Sequence, residues 1–172
     1  MELRLVGPDM RQMTTARGEV LVCCLFEDER PVQGIAGLLD WRMATRLSRH
    51  LTAGVLTGAR GETAILPGKP RVPFEKLVLF GLGPKAEFDE NAFIDTVCRI
   101  LDTLAGLRVR MAVIERPGRH TSVVDAVRAI QVITSVCEEH GGQDVWTLLE
   151  SASDQKRIAQ HLEEERRRKR LR

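Results

Sequence analysis

The stretch Gly81-Leu82-Gly83-Pro84-Lys85-Ala86 contains the residue types from which proteins build phosphate-binding turns. It fits the pattern G-x-G-x-x-G/A and lies between an apolar run and a segment with helical spacing. Backbone N–H groups in such a turn, together with the positive end of the following helix, can hold a phosphate group. Gly81, Gly83 and Lys85 are therefore the candidate cofactor-binding residues, with Lys85 adding a positive charge.

The same stretch also has a purely structural interpretation. Pro84 lacks a backbone N–H and so removes one donor from the proposed cradle. The motif follows the fourth predicted strand, whereas a dinucleotide fingerprint opens its fold at the first strand. Glu115, which could bind a ribose hydroxyl, lies further along the chain than that fingerprint expects. In this interpretation the two glycines let a strand turn tightly into a helix whose first residue is Pro84.

Other chemically capable residues do not form a recognisable site. Cys137 and His140 stand three positions apart on a predicted helix, but two ligands do not complete a zinc site and no second pair accompanies them. No Ser or Cys lies in a nucleophile elbow. The carboxylate pairs Asp28-Glu29 and Asp89-Glu90 lie beside turns, where solvated helix caps are the usual role. The sequence therefore predicts no catalytic residue, no metal site and no resident cofactor.

Hydrophobic periodicity predicts alternating strands and helices. Apolar or alternating runs predict strands at 2–6, 19–27, 62–67, 76–83, 109–115 and 145–151. Apolar spacing of three and four residues predicts helices at 35–51, 88–104, from Thr121 or Ser122 to Gly141-Gly142, and from Ser153-Asp154 toward residue 170. Such an order predicts an α/β sheet with helices on both faces.

Length and composition predict one domain over residues 1–172. The chain has 172 residues, of which 43% are hydrophobic and 29% charged, an ordinary globular composition. Four cysteines lie in apolar segments without CxxC spacing, which predicts buried thiols in a reducing compartment. No apolar stretch is long enough to cross a membrane, so we expect a cytoplasmic protein without a membrane partner.

The end of the chain is strongly basic. Residues 166–172, RRRKRLR, contain six basic residues, although the net charge of the whole chain is only +2. A nucleic-acid partner could bind there, through Arg166, Arg167, Arg168, Lys169 and Arg170. The alternative is a solvated helix over about 153–172, because acidic residues at 163–165 stand four positions before basic ones and cations suit a helix C-terminus.

Residues 20–105 resemble the N-terminal domain of the M17 leucyl aminopeptidases. The resemblance consists of an apolar strand ending in Phe26-Glu27, then Leu39-Asp40, a glycine-flanked loop from Gly54 to Gly58, and a strand that closes on Gly81-Leu82-Gly83. It implies a macro-domain-like, three-layer α/β/α sandwich with a mixed, mostly parallel sheet. In that family the peptidase metals are bound by a separate C-terminal domain, and no segment of this sequence resembles that domain.

The resemblance implies a stand-alone, non-catalytic accessory domain that acts through protein contacts. We expect a homo-oligomer or docking on another chain, such as an aminopeptidase. The segment from Trp41 to Arg49 is a candidate contact surface because Trp and Arg favour interface centres, unless Trp41 lies in the core. Two alternatives stay open: a macro-like module that binds ADP-ribose or another nucleotide through Gly81, Gly83 and Lys85, and association with nucleic acid through the basic end.

Overall fold

A computed structural model describes residues 2–16, 18–140 and 145–170. Its centre is a six-stranded sheet with the order β1-β6-β5-β2-β4-β3. The strands are β1 (Glu2–Val6), β2 (Val20–Phe26), β3 (Thr63–Pro67), β4 (Lys76–Gly83), β5 (Met111–Glu115) and β6 (Val145–Leu149). All neighbouring strands are parallel except β3, which runs antiparallel to β4 at one edge. The sheet is therefore mixed and mostly parallel, as the sequence predicts.

Within the described ranges, six α-helices cover the two faces of this sheet. They are α1 (Met10–Thr15), α2 (Gly34–Arg42), α3 (Arg46–Thr52), α4 (Glu90–Gly106), α5 (Ala126–His140) and α6 (Ala152–Arg170). Met13, Ile35, Leu39 and Leu47 from α1, α2 and α3 pack on one face of the sheet. Buried residues of α4, α5 and α6, such as Phe93, Ile133 and Ile158, pack on the other face. These layers confirm the predicted α/β/α sandwich.

The central strands are apolar on both faces because both faces are covered. Every residue of β2 from Val20 to Phe26 is buried. Successive side chains alternate between the layers, so Leu21, Cys23 and Leu25 contact the α1–α3 side. Val20, Val22, Cys24 and Phe26 contact the α4–α6 side. The continuous apolar run of β2 therefore reflects its position in the middle of the sheet.

The helix predicted over 35–51 is divided into α2 and α3. Ala44 and Thr45 have φ values of 54° and 60°, in the left-handed region that ends a helix. The buried Asp40 carboxylate accepts hydrogen bonds from the backbone N–H and the hydroxyl of Ser48 at 3.0 and 2.5 Å, which caps the start of α3. Leu39 and Leu47 face the same core on both sides of the break. The apolar periodicity therefore continues across the break in the helical backbone.

Three helix starts and one whole helix differ from the predictions. Pro84 precedes a short 3₁₀ helix at Lys85–Glu87, and α4 begins later, where Asp89 accepts a hydrogen bond from the Ala92 N–H at 2.8 Å. Helix α5 begins at Ala126, after Thr121 and Ser122, and Ser151 rather than Ser153 caps α6 by accepting from the Asp154 N–H. Helix α1 is too short to show apolar periodicity, so the sequence did not reveal it. The predicted stop at Gly141-Gly142 lies outside the described residues.

Candidate functional site

A polar cleft of about 540 Å³ opens at the carboxyl ends of β2, β4 and β5. Ligands of open α/β sheets bind at this edge, where the loops that follow parallel strands converge. Asp28, Glu29, Arg30, Gln33, Lys85 and His120 are among its lining residues. The cleft combines carboxylates, cations and an imidazole, so it is the most chemically capable concavity in the described part of the chain.

Glu29 is the centre of a hydrogen-bonded cluster in this cleft. Its carboxylate oxygens each lie 3.0 Å from His120 Nε2, and Lys85 Nζ lies 3.0 Å from Glu29 Oε1. The Glu29 side chain is 13% exposed, whereas that of Lys85 is 47% exposed. The Lys85 ammonium and the His120 imidazole therefore both lie within hydrogen-bond distance of one carboxylate.

Local structure holds each member of the cluster in place. Arg30 donates to the carbonyl oxygens of Phe26 and Thr57, both at 2.9 Å, and so fixes the loop that carries Glu29. The Phe26 ring meets the His120 ring edge to face, with centroids 5.8 Å apart. The Lys85 N–H donates to Asp28 Oδ1 at 2.9 Å, which joins the loops after β2 and β4.

Glu115, at the end of β5, is buried below the cleft. Its Oε1 accepts a hydrogen bond from the Ile35 N–H at 3.0 Å, at the start of α2. Burial raises the pKa of Glu115 to about 7, although the backbone N–H of Ile35 and the nearby Arg119 act in the opposite direction. A Cβ on Gly34, whose φ is +62°, would lie 2.5 Å from the same oxygen. Only glycine leaves room for this carboxyl group.

A second ionic pair supports the loop after β5 from below. Arg116 Nε donates to Glu150 Oε1 at 2.5 Å, and the guanidinium also donates to the Val124 carbonyl at 2.6 Å. The two side chains are 4% and 0% exposed. A buried charge is tolerated only when it is paired and hydrogen-bonded, and this pair meets both conditions. It anchors the segment that presents His120.

The structure separates the three residues of the candidate phosphate loop. The Gly81 N–H donates to the Glu62 carbonyl and the Gly83 N–H to the Gly58 carbonyl, both at 2.9 Å. A Cβ on Gly81 would lie only 2.0 Å from the Ala59 carbonyl oxygen, so this glycine permits close approach of the preceding loop. Lys85 alone of the three lines the cleft. Phosphate binding by this loop stays a prediction.

Sequence reasoning missed three groups that line the cleft with Lys85. They are the carboxylates of Asp28 and Glu29 and the imidazole of His120. The sequence predicts a solvated Asp28-Glu29 pair and indicates no functional role for His120. Asp28-Glu29 follows β2 and His120 follows β5, each within a few residues. The carboxyl ends of these parallel strands lie at the same edge of the sheet. That shared edge is the signal that could have paired them.

Two other predicted groups lie away from the cleft. Cys23, Cys24 and Cys137 are buried and free, and burial raises the pKa of each thiol, that of Cys137 to about 11. Across the described residues, no group of three or more His, Cys, Asp or Glu side chains is placed to hold a metal ion. The basic end forms the last turns of α6, where Arg166, Arg167, Arg168 and Arg170 are exposed.

Trp41 lies on the surface and not in the core. Its side chain is 74% exposed, which makes it the most exposed large hydrophobic residue among those described. It borders a shallow hollow of about 410 Å³ together with Met10, Arg11, Thr14 and Arg42. No helix in the described ranges is both long and apolar enough to cross a bilayer.

Comparisons with solved structures show the fold. The chain superposes on tomato leucine aminopeptidase with a TM-score of 0.63 and 11% identity, covering 94% of this chain and 35% of that one. A macrodomain of Oceanobacillus iheyensis gives a TM-score of 0.70 at 15% identity, covering 96% of this chain and 93% of that one. The Trypanosoma brucei macrodomain, solved in complex with ADP-ribose, gives 0.69 at 15% identity, covering 94% of this chain and 69% of that one.

Sequence comparisons identify the family. The probable cytosol aminopeptidase of Ralstonia nicotianae is 29% identical over 129 residues, which are 73% of this chain and 25% of the relative. That of Cupriavidus metallidurans is 30% identical over 123 residues, which are 70% of this chain and 24% of the relative. The chain thus spans about a quarter of the length of these relatives. Residues 20–140 match the model of the cytosol aminopeptidase family, N-terminal domain, and the chain belongs to that family.

Proposed function

We propose that this chain is a non-catalytic accessory domain that acts by self-association or by docking on another protein chain, such as an aminopeptidase. The observation that carries the proposal is the exposure of Trp41, whose side chain is 74% exposed beside Met10 and Arg42. A tryptophan left in water forgoes a large burial energy, and Trp and Arg are the residues most enriched at the centres of interfaces. The match to an N-terminal, and not a catalytic, family domain supports the same function.

Light scattering across a range of protein concentrations tests this proposal, alone and after co-expression with a cytosol aminopeptidase from the same organism. We expect assembly with one of the two partners, and we expect Trp41→Ala to weaken it about tenfold or more. Val55→Ala is the matched control, because Val55 is 66% exposed but lies outside the hollow. A chain that stays monomeric and retains no partner would contradict the proposal, as would full assembly of the Trp41 variant.

A second candidate function is nucleotide binding in the cleft. Its supports are the position of the cleft at the carboxyl ends of β2, β4 and β5 and the Lys85 ammonium and His120 imidazole in its wall. A structural neighbour of this chain was solved with ADP-ribose. Glu29 argues against an anionic ligand, because its carboxylate lies within hydrogen-bond distance of both Lys85 and His120.

Calorimetric titration with ADP-ribose tests whether the cleft binds a nucleotide. Two variants should change the affinity in opposite directions. If the cleft binds the diphosphate, Lys85→Ala should weaken binding about tenfold, since it removes a charge-assisted hydrogen bond. Glu29→Gln should strengthen binding, because it releases Lys85 and His120 from a competing carboxylate. Absence of heat at millimolar ligand for both the wild type and the Glu29 variant would remove this candidate.

A further inference from the structure

The helical layer formed by α1, α2 and α3 carries arginines without carboxylate partners. Arg11, Arg42, Arg46 and Arg49 lie on these three helices. No ion pair joins any of the four to an acidic residue within the described ranges, and the one hydrogen bond that their side chains make there is from Arg49 to the Ala44 carbonyl at 3.5 Å. The layer therefore has a surplus of positive charge.

Several arginines of the opposite layer do have carboxylate partners. There Arg128 pairs with Glu90 at 2.7 Å and Arg157 with Asp125 at 2.5 Å. Arg60, whose loop abuts α4, pairs with Asp95 at 2.9 Å. These three arginines are neutralised within the chain, whereas those of the α1–α3 layer, like the exposed arginines at the end of α6, are left to solvent or to another molecule.

The acidic residues near the α1–α3 layer are all engaged locally. Asp40, the one acidic residue within these three helices, is 8% exposed and bonded to Ser48. Asp9 caps α1 by accepting from the Gln12 N–H at 2.9 Å. Glu75 forms an ion pair with Lys69. None of these carboxylates is free to neutralise the helix arginines.

Two hollows on this layer have linings that meet in the sequence at Arg42 and Met43, where α2 ends. The first, of about 410 Å³, includes Trp41 and Arg42. The second, of about 370 Å³, begins at the next residue, Met43, and includes Arg46, Arg49 and Arg71. An extended segment of a partner could therefore cross both hollows, with an apolar side chain against Trp41 and acidic side chains beside the arginines.

We propose that this arginine face, defined as Arg11, Trp41, Arg42, Arg46 and Arg49, binds an acidic segment of a partner protein. The guanidinium fork binds carboxylates in bidentate geometry, and Trp41 supplies the apolar anchor. A single-stranded nucleic acid fits this face less well, since such sites stack successive bases on several aromatic rings. Trp41 is the one exposed aromatic residue in the part of the chain that the structure describes.

This inference rests on the proposed function and names the chemistry of the partner. It is tested with the full chain and a fluorescein-labelled peptide of Asp and Glu residues around a central leucine. The comparison peptide has Asn and Gln in place of the acids, and oligothymidine is the nucleic-acid probe. We expect the acidic peptide alone to bind, and we expect the double change Arg42→Gln and Arg46→Gln to weaken its binding about tenfold.

The matched control is the double change Arg166→Gln and Arg167→Gln, which removes the same charge from the exposed end of α6. This control should change peptide binding less than twofold. Equal loss in both double variants, equal binding of the neutral peptide, or tighter binding of oligothymidine would overturn the inference. Assembly that depends on Trp41 without any peptide binding would also overturn it, while leaving the proposed function intact.

Discussion

Single residues at the carboxyl ends of the strands make contacts that the sequence alone does not reveal. Glu115 was a candidate partner for a ribose hydroxyl in the sequence, but its carboxyl group accepts from the Ile35 N–H inside the fold. Glu29 was expected in solvent and instead binds Lys85 and His120. The sequence shows which residues are acidic, but the direction of each side chain depends on loops from three strands that meet only in the folded chain.

Glu115 should make the stability of the protein depend on pH. Its pKa is about 7 in the folded chain against 4.5 for an ordinary glutamate, so the folded state binds the proton more tightly. The stabilisation is therefore complete below about pH 4.5 and is lost as the pH rises through 7. At about 1.4 kcal/mol per pKa unit, the loss amounts to about 3 kcal/mol.

Urea unfolding at pH 5 and pH 8 of the wild type and of Glu115→Gln measures this effect. Other carboxyl groups titrate in both proteins, so the difference between the two isolates Glu115. We expect the free energy of unfolding of the wild type to fall between the two pH values by about 2.5 kcal/mol more than that of the variant, because a small part of the loss occurs below pH 5. Parallel pH profiles would show that this carboxyl group titrates normally.

At the scale of elements, hydrophobic patterning was sufficient to predict six strands and the long helices, but not the ends of the helices. Asp40 illustrates the reason. It lies in an apolar helical stretch, yet its carboxylate caps the next helix, and nothing in the three- and four-residue spacing signals that contact. Helix α2 and helix α3 present one continuous apolar face to the core although the backbone between them is broken.

The turn after β4 provides a test of the structural role of its glycines. Gly81→Ala would place a Cβ 2.0 Å from the Ala59 carbonyl oxygen, which belongs to the backbone and cannot move aside easily. We expect the free energy of unfolding to fall by about 1–3 kcal/mol or more. The control is Gly106→Ala at the end of α4, where no atom lies within 4 Å of the added carbon.

The control variant should be unchanged or up to about 1 kcal/mol more stable, because alanine favours the helix. Chemical denaturation of both variants gives the comparison. If Gly81→Ala were as stable as Gly106→Ala, the close approach of the Ala59 carbonyl would not be essential to the turn.

At the scale of the whole molecule, the fold agrees with the family resemblance seen in the sequence. The arrangement of side chains on the surface, in contrast, could not be predicted from the sequence. The family match covers residues 20–140, which include β2 to β5 and α2 to α5. Exposure of Trp41 and the distribution of paired and unpaired arginines between the two layers depend on the assembled sandwich. No one-dimensional pattern distinguishes an arginine with a carboxylate partner 38 positions away, such as Arg128 with Glu90, from one without.

The basic end of α6 should be dispensable for folding. The buried contacts of α6 come from Ile158, with Leu162 packed partly against the core, and Arg166 to Arg168 are exposed. Deletion of residues 166–172 should therefore change the free energy of unfolding by less than about 0.5 kcal/mol. If this end binds DNA or RNA, affinity should fall steeply with salt concentration and disappear in the truncated chain. Binding that survives the truncation would place the nucleic-acid surface elsewhere.

Strand β1 lies at one edge of the sheet and is paired with β6, which affects the order in which the sheet can assemble. Glu2 is aligned with Val145, so β1 has its neighbouring strand only after β6 has also been synthesised. The central strands β2, β4 and β5 can pair with one another before that moment. Strand β1 is therefore made before the central strands but can join the sheet only after them.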